Sequence, residues 1–293
     1  MGSFVGHVIP GSMFFLGATW WTIQICYHYI LSRQRTGKPF RCQVTFPGPG
    51  KLKHIPFEGI VKLVLCGSGI AGEVITAFQD GKFVHLGNAQ HSSMYFFFAL
   101  SGAIDVLVFY RVALPAGIDY VALCLGFFIE GLLFVQHLHG RSEMNVQLHV
   151  LLYYTVFACA LSTLLEMRYR CNALTVLARA FFTLIQGTWF MQAALVLYNP
   201  LPGATSWDES DHGEMMMITV IYTWHYAANI VYMMMIYALV RYYLRRRGLK
   251  IESHEEGYAP LDVAYGYELR QKGGVGGPRP IEEEGDDLLG GEV

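Results

Sequence analysis

The residues of this sequence most able to do chemistry are ionisable side chains lying in or beside long apolar runs. A charge at the centre of a bilayer costs about 2.5–3.5 kcal/mol on insertion scales, so such groups face a cavity or one another. Of eleven histidines, His7, His85, His91, His137, His139, His149, His212 and His225 gather towards one side of those runs. Imidazole is the commonest metal-binding side chain and the one most easily switched near neutral pH. His91, His137, His149 and His225, with the carboxylates Glu73 and Glu130, are therefore the candidate ligands of a metal such as Zn2+, which takes nitrogen and oxygen at ~2.0–2.2 Å. Shared protons are the other chemistry that such a cluster supports. Glu130 and His137 lie two turns apart on one helical face, whereas His139 is about 200° round from His137. His137 is thus expected inward and His139 at a frayed end. His7, His85 and His212 stand where interfacial side chains anchor helices at membrane surfaces. His225 is deeper, within Thr223-Trp224-His225-Tyr226. Asp105 lies ~21 Å from His91 along the same helix, too far to share the site, and is expected to pair with Lys62 or another group of its own half.

These positions presuppose the elements that carry them. Apolar runs near the ~20 residues a bilayer needs cover residues 9–31, 56–78, 91–113, 117–138, 146–167, 174–198 and 215–243. Backbone without partners cannot sit in lipid, so each is expected to be a helix, and continuous rather than alternating apolarity argues against a β-barrel. The expected fold is an all-α integral membrane protein. A seven-transmembrane-helix bundle spans 1–247, followed by a disordered cytosolic tail over 248–293. The tail is rich in Asp, Glu and Gly, a composition that cannot bury a core.

Charge orients the bundle. Arg33, Arg35, Lys38, Arg41, Lys51 and Lys53 follow the first run with no acid before Glu58, and Arg111 follows the third. Arg168, Arg170 and Arg179 fall after the fifth and at the start of the sixth, and Arg241, Arg245, Arg246, Arg247 and Lys250 end the last. The opposite side has only Lys82 and Arg141, and its last loop is acidic. By the positive-inside rule the basic side is cytosolic, and the amino terminus and the histidine cluster are lumenal or extracellular. The first run lacks a basic leader and a small-residue cleavage pattern, so it reads as a retained span. Cys26, Cys66, Cys124 and Cys159 fall within runs and Cys42 and Cys171 on the cytosolic side, which leaves no lumenal disulfide. A net charge of −2 makes no case for nucleic acid.

No phosphate loop, Gly-x-Ser-x-Gly, Cys-x-x-Cys or His-Glu-x-x-His occurs, so no motif assigns a reaction. Three classes of function fit: a lumen-facing metal or proton site, a non-catalytic trafficking or scaffold protein acting through its tail, and a haem-binding redox protein. A two-haem wire is disfavoured because the cytosolic half offers only His28. Within the tail, Glu284-Gly285-Asp286-Asp287-Leu288-Leu289 resembles an acidic dileucine sorting signal and Tyr258-Ala259-Pro260-Leu261 a tyrosine-based one. The expected partners are the lipid bilayer and sorting adaptors.

Taken together, Gly6-His7-Val8-Ile9-Pro10-Gly11, Ala71-Gly72-Glu73, His91-Ser92-Ser93-Met94-Tyr95, His137-Leu138-His139-Gly140-Arg141, Gln186-Gly187-Thr188-Trp189, Trp207-Asp208 and Trp224-His225-Tyr226 resemble the transmembrane protein 45 family, which includes transmembrane epididymal proteins. The resemblance runs in order over about residues 1–247 and leaves the tail outside. Ala89 departs from it, where other members carry a tryptophan. The resemblance implies a multi-helix protein of secretory-pathway membranes (Golgi, endosomal or plasma membrane) and no established activity.

Overall fold

The computed structural model of the chain describes residues 3–34, 40–203, 206–209 and 211–249. The tail from residue 250 onward, with both sorting strings, lies outside the described residues. Helices α1 (Phe4–Ser32), α2 (Phe57–Ala77), α3 (Leu86–Phe109), α4 (Ile118–Gln136), α5 (Glu143–Arg168), α6 (Ala173–Tyr198) and α7 (His212–Arg246) follow in chain order. Among the described residues, α2 to α7 are six helices long and apolar enough to cross a membrane. α1 has 29 residues, ~43 Å at ~1.5 Å each.

Helix starts follow local chemistry. Asn172 accepts from Leu174 N at 2.9 Å, and Asp211 accepts from Gly213 N at 2.6 Å. Each side-chain oxygen thereby satisfies a backbone N–H that a first turn leaves unpaired. Among the described residues, the fold is all-α apart from one short connection. α2 and α3 are joined by a small hairpin, β1 (Phe78–Gln79) and β2 (Lys82–Phe83). Asp80 and Gly81 have φ of 51° and 74°, the doubly positive geometry of a two-residue hairpin turn that Asp-Gly favours.

The helices neighbour one another in the order α2, α3, α4, α5, α6, α1, with α7 against α1 and α6. The α1–α6 pair is the closest approach. A Cβ on Gly187 would stand 2.6 Å from Phe15 N and 2.8 Å from Gly11 O, so the two backbones touch. Gly59 and Gly102 play the same part for α2 and α3, where a Cβ on Gly59 would lie 2.8 Å from Gly102 O. Between helices in lipid, contact of this kind replaces the hydrophobic drive available in water.

At the basic end the segment between α1 and α2 is more than a solvated loop. Cys42, Val44 and Phe46 are buried, and buried polar groups hold them there. Glu58 accepts from Trp20 Nε1 at 2.8 Å, Trp21 Nε1 at 3.0 Å and Phe46 N at 2.7 Å. Arg179 donates from Nε to Glu166 at 2.5 Å, and Tyr120 donates its hydroxyl to Glu166 at 3.0 Å. The Arg179 guanidinium also stands 4.1 Å from the Trp21 ring centroid. Both members of this ion pair have fully buried side chains. Burial, and next the Glu166 charge, push the Cys42 thiol above its ordinary range. Nearer the α2–α3 face, Lys62 Nζ meets Asp105 Oδ2 at 2.6 Å, the pairing expected from their shared depth.

Candidate functional site

At the other end of the bundle, near the hairpin and the start of α1, the helix ends part around a cavity of about 410 Å³. α1 supplies His7, α2 Glu73, α3 His91, α4 Glu130 and α5 His149, while His137 and Arg141 come from the α4–α5 turn. Phe14, Phe98, Phe134 and Phe190 form the apolar part of the wall. The imidazoles are close neighbours. Ring centroids are 5.4 Å apart for His91 and His137, 6.4 Å for His137 and His149, and 5.7 Å for His7 and His149.

Hydrogen bonds define what each ring offers. His149 Nδ1 lies 2.8 Å from Asn145 O and His7 Nδ1 3.0 Å from Ser3 O. A carbonyl only accepts, so Nδ1 carries the hydrogen in both, and in the neutral ring Nε2 holds the lone pair. His137 is engaged on both nitrogens, Nδ1 with Gln90 Oε1 at 2.6 Å and Nε2 with the Arg141 guanidinium. Guanidinium has no acceptor, so in that contact His137 Nε2 is the accepting nitrogen. His91 Nδ1 meets Glu73 Oε1 at 3.2 Å. Glu130, 3% exposed, accepts from Gln186 Nε2 at 2.9 Å.

Five of the six candidate ligands, His91, His137, His149, Glu73 and Glu130, thus line one cavity. His225 does not. It packs edge-on against Trp189, ring centroids 5.4 Å apart, and the Trp189 indole donates to Leu148 O of α5 at 3.0 Å. The tryptophan ring therefore stands between His225 and the α5 backbone at Leu148. Among the described residues, no three His, Cys, Asp or Glu side chains are placed to hold a metal ion. The rings gather, with Nδ1 of His7, His91 and His149 and both nitrogens of His137 engaged by protein partners.

Sequence reasoning placed His7 and His85 as surface anchors, yet both line the cavity, and His7 is 8% exposed. The contact of Gly11 with α6 draws the first turns of α1 against the bundle, and Gly11 stands one turn after His7 on the same face. That four-residue spacing was the available signal. Arg141, read only as a stray lumenal base, bridges His137 and Asn145 Oδ1, the latter at 3.1 Å. His139 is exposed beyond the end of α4, as its angle on the helix required.

With this geometry in view, the relationships of the chain are informative. Residues 116–238 match a family of unknown function (DUF716). Transmembrane epididymal protein 1 of Rattus norvegicus is 27% identical over 290 residues, 93% of each chain. Transmembrane epididymal protein 1A of Mus musculus is 26% identical over 260 residues, 84% of this chain and 83% of its own. The chain is similar to the transmembrane epididymal proteins. The protein of that name from Homo sapiens is 26% identical, over 70% of this chain and 80% of its own. Together with the six membrane-length helices, this kinship makes the chain a multi-pass integral membrane protein. The DUF716 match takes in Glu130, His137, Arg141 and His149, whereas His7, Glu73 and His91 precede it.

Proposed function

We propose that the chain crosses the membrane seven times, α1 included, with its amino terminus on the non-cytosolic side, and that it binds a small ligand in the histidine-lined cavity. The location would be a secretory-pathway or plasma membrane. The observation that carries this reading is the convergence of imidazoles and carboxylates from α1 to α5 and the α4–α5 turn on one space of about 410 Å³. Pockets of a few hundred Å³, with a few polar groups in an aromatic wall, suit small molecules. The buried core side chains Phe127, Val156 and Ile185 lie further along α4, α5 and α6 from the cavity end than Glu130, His149 and Phe190, which favours binding over passage. The orientation is supported by Arg111, Arg168, Arg170, Arg241 and Arg245 at the opposite helix ends. It predicts that a tag ahead of Met1 is protected in cells permeabilised only at the plasma membrane if the protein is internal, while a tag after Val293 is accessible. The reverse pattern would move the cavity to the cytosol.

A zinc-class ion is the ligand that the histidine tautomers favour. His7 and His149 each donate Nδ1–H to a backbone carbonyl, the support that commonly orients metal-binding imidazoles, and this leaves Nε2 as donor to a metal. His91, whose Nδ1 is engaged by Glu73, would complete the set through Nε2. Equilibrium dialysis of Zn2+ against purified protein in neutral nanodiscs tests this. Close to one ion per chain is expected, and His7→Ala and His149→Ala should each weaken binding at least about tenfold. Binding that both variants leave unchanged would remove the zinc reading. A Soret band in the purified protein would replace it with haem. Native mass spectrometry then tests the broader reading, since a co-purified small molecule should be lost when His149→Trp fills the cavity. Sorting through the tail remains a separate proposal, independent of this cavity.

A further inference from the structure

The basic end of α7 borders a second space that the histidine cavity does not involve. A groove of about 730 Å³ runs beside α7, with Leu177 of α6 and Met233 and Met234 of α7 along its apolar part and Arg241, Tyr242 and Arg245 at its basic part. Arg241 and Arg245 are one turn apart, so they project from one face. Among the described residues neither forms an ion pair. The Arg241 Nε–H is buried, with no hydrogen-bond partner among the described residues. Their neighbours are provided for differently. Arg246 Nε donates to the Tyr242 hydroxyl at 2.9 Å, and Arg247 stands 5.3 Å from the Tyr243 ring centroid. Two arginines of the cluster thus lean on tyrosines, and two face the groove.

A charged N–H hidden from water calls for an acceptor, and a groove shared by two guanidiniums calls for an anion with several oxygens. The apolar part narrows the choice. Met233 lies eight residues before Arg241, ~12 Å deeper along the helix, and Met234 is 66% exposed towards the side of the bundle. Flexible thioethers suit an irregular chain. We propose that this groove binds one anionic phospholipid, its phosphate between Arg241 and Arg245 and an acyl chain along Met233, Met234 and Leu177. The orientation given above assigns it to the cytosolic leaflet, where anionic lipids gather beside juxtamembrane arginines. The binding itself does not depend on the histidine cavity.

The test uses the full chain in nanodiscs of phosphatidylcholine with a minor share of phosphatidylserine, extracted into mild detergent and examined by native mass spectrometry. The wild-type protein is expected to retain one phosphatidylserine in preference to phosphatidylcholine. Arg241→Gln and Arg245→Gln should each lower retention about fivefold, while Arg246→Gln with Arg247→Gln leaves it nearly unchanged. Met233→Trp, which fills the groove from its apolar side and spares every charge, should also expel the lipid. Inorganic phosphate alone is the competing source, and in millimolar excess it should not displace the lipid. If phosphate binds with the same arginine dependence and no lipid is retained, the ligand is free phosphate and the lipid assignment fails. Equal losses from all four arginines would reduce the groove to a diffuse basic collar and overturn the proposal, as would no preference between the two lipids.

Discussion

Replacing Arg179 with methionine is expected to destabilise the bundle by about 3–5 kcal/mol, the usual result of leaving a buried carboxylate without its partner. Glu166 would keep the Tyr120 hydroxyl at 3.0 Å but lose the guanidinium at 2.5 Å. Its side chain is fully buried, so water cannot take the place of the arginine. The Trp21 ring, 4.1 Å from the guanidinium, would lose its cation as well. The measurement is denaturation in detergent followed by helical circular dichroism. The double variant Arg179→Met with Glu166→Met supplies the control, because removing both charges is often neutral or stabilising. It should recover most of the loss. A single variant as stable as the wild type would mean that the pair is hydrated and the network less closed than its geometry implies.

Glu58→Leu should be nearly as damaging. Its carboxylate is the acceptor for Trp20 Nε1, Trp21 Nε1 and Phe46 N, and each buried donor left unpaired costs about 1–3 kcal/mol. A loss of about 3 kcal/mol or more is expected, with Glu58→Gln smaller because one acceptor oxygen remains. The local signature is exposure of Cys42, which is 3% exposed on the segment that Phe46 pins to Glu58. Alkylation of Cys42 is expected to be slow in the wild type, where burial also raises the thiol, and fast in Glu58→Leu before global unfolding. Unchanged alkylation would show that Val44, Phe46 and the Cys42 N–Arg170 O bond at 2.9 Å hold the segment without Glu58.

Both predictions concern residues that a reading of the chain alone treated as charges on a boundary. Arg179 counted as one more cytosolic base, and Glu58 as the first acid after a basic loop. Nothing in their spacing marks them as buried partners, because Glu58 meets Trp20 and Trp21 across a break of more than thirty residues. The Lys62–Asp105 pair was foreseeable, since both lie in the same half of adjacent antiparallel runs.

What the sequence determined by itself was the set of apolar helices, the depth of each polar residue along them and the asymmetry of basic charge between their ends. Hydrophobic length and helical rise are properties of a segment, so they survive without knowledge of neighbours. Tertiary structure decided the angle of each helix about its own axis. That angle brought His7 into the cavity through the Gly11–Gly187 contact, set Trp189 between His225 and α5, and turned Arg141 onto His137. It also folded Cys42, Val44 and Phe46 inward onto Glu58 and away from solvent. Depth is additive along one chain segment, whereas rotation depends on how several side-chain surfaces fit together at once. The histidines therefore announced a shared level in the membrane, and only packing chose which of them share a site.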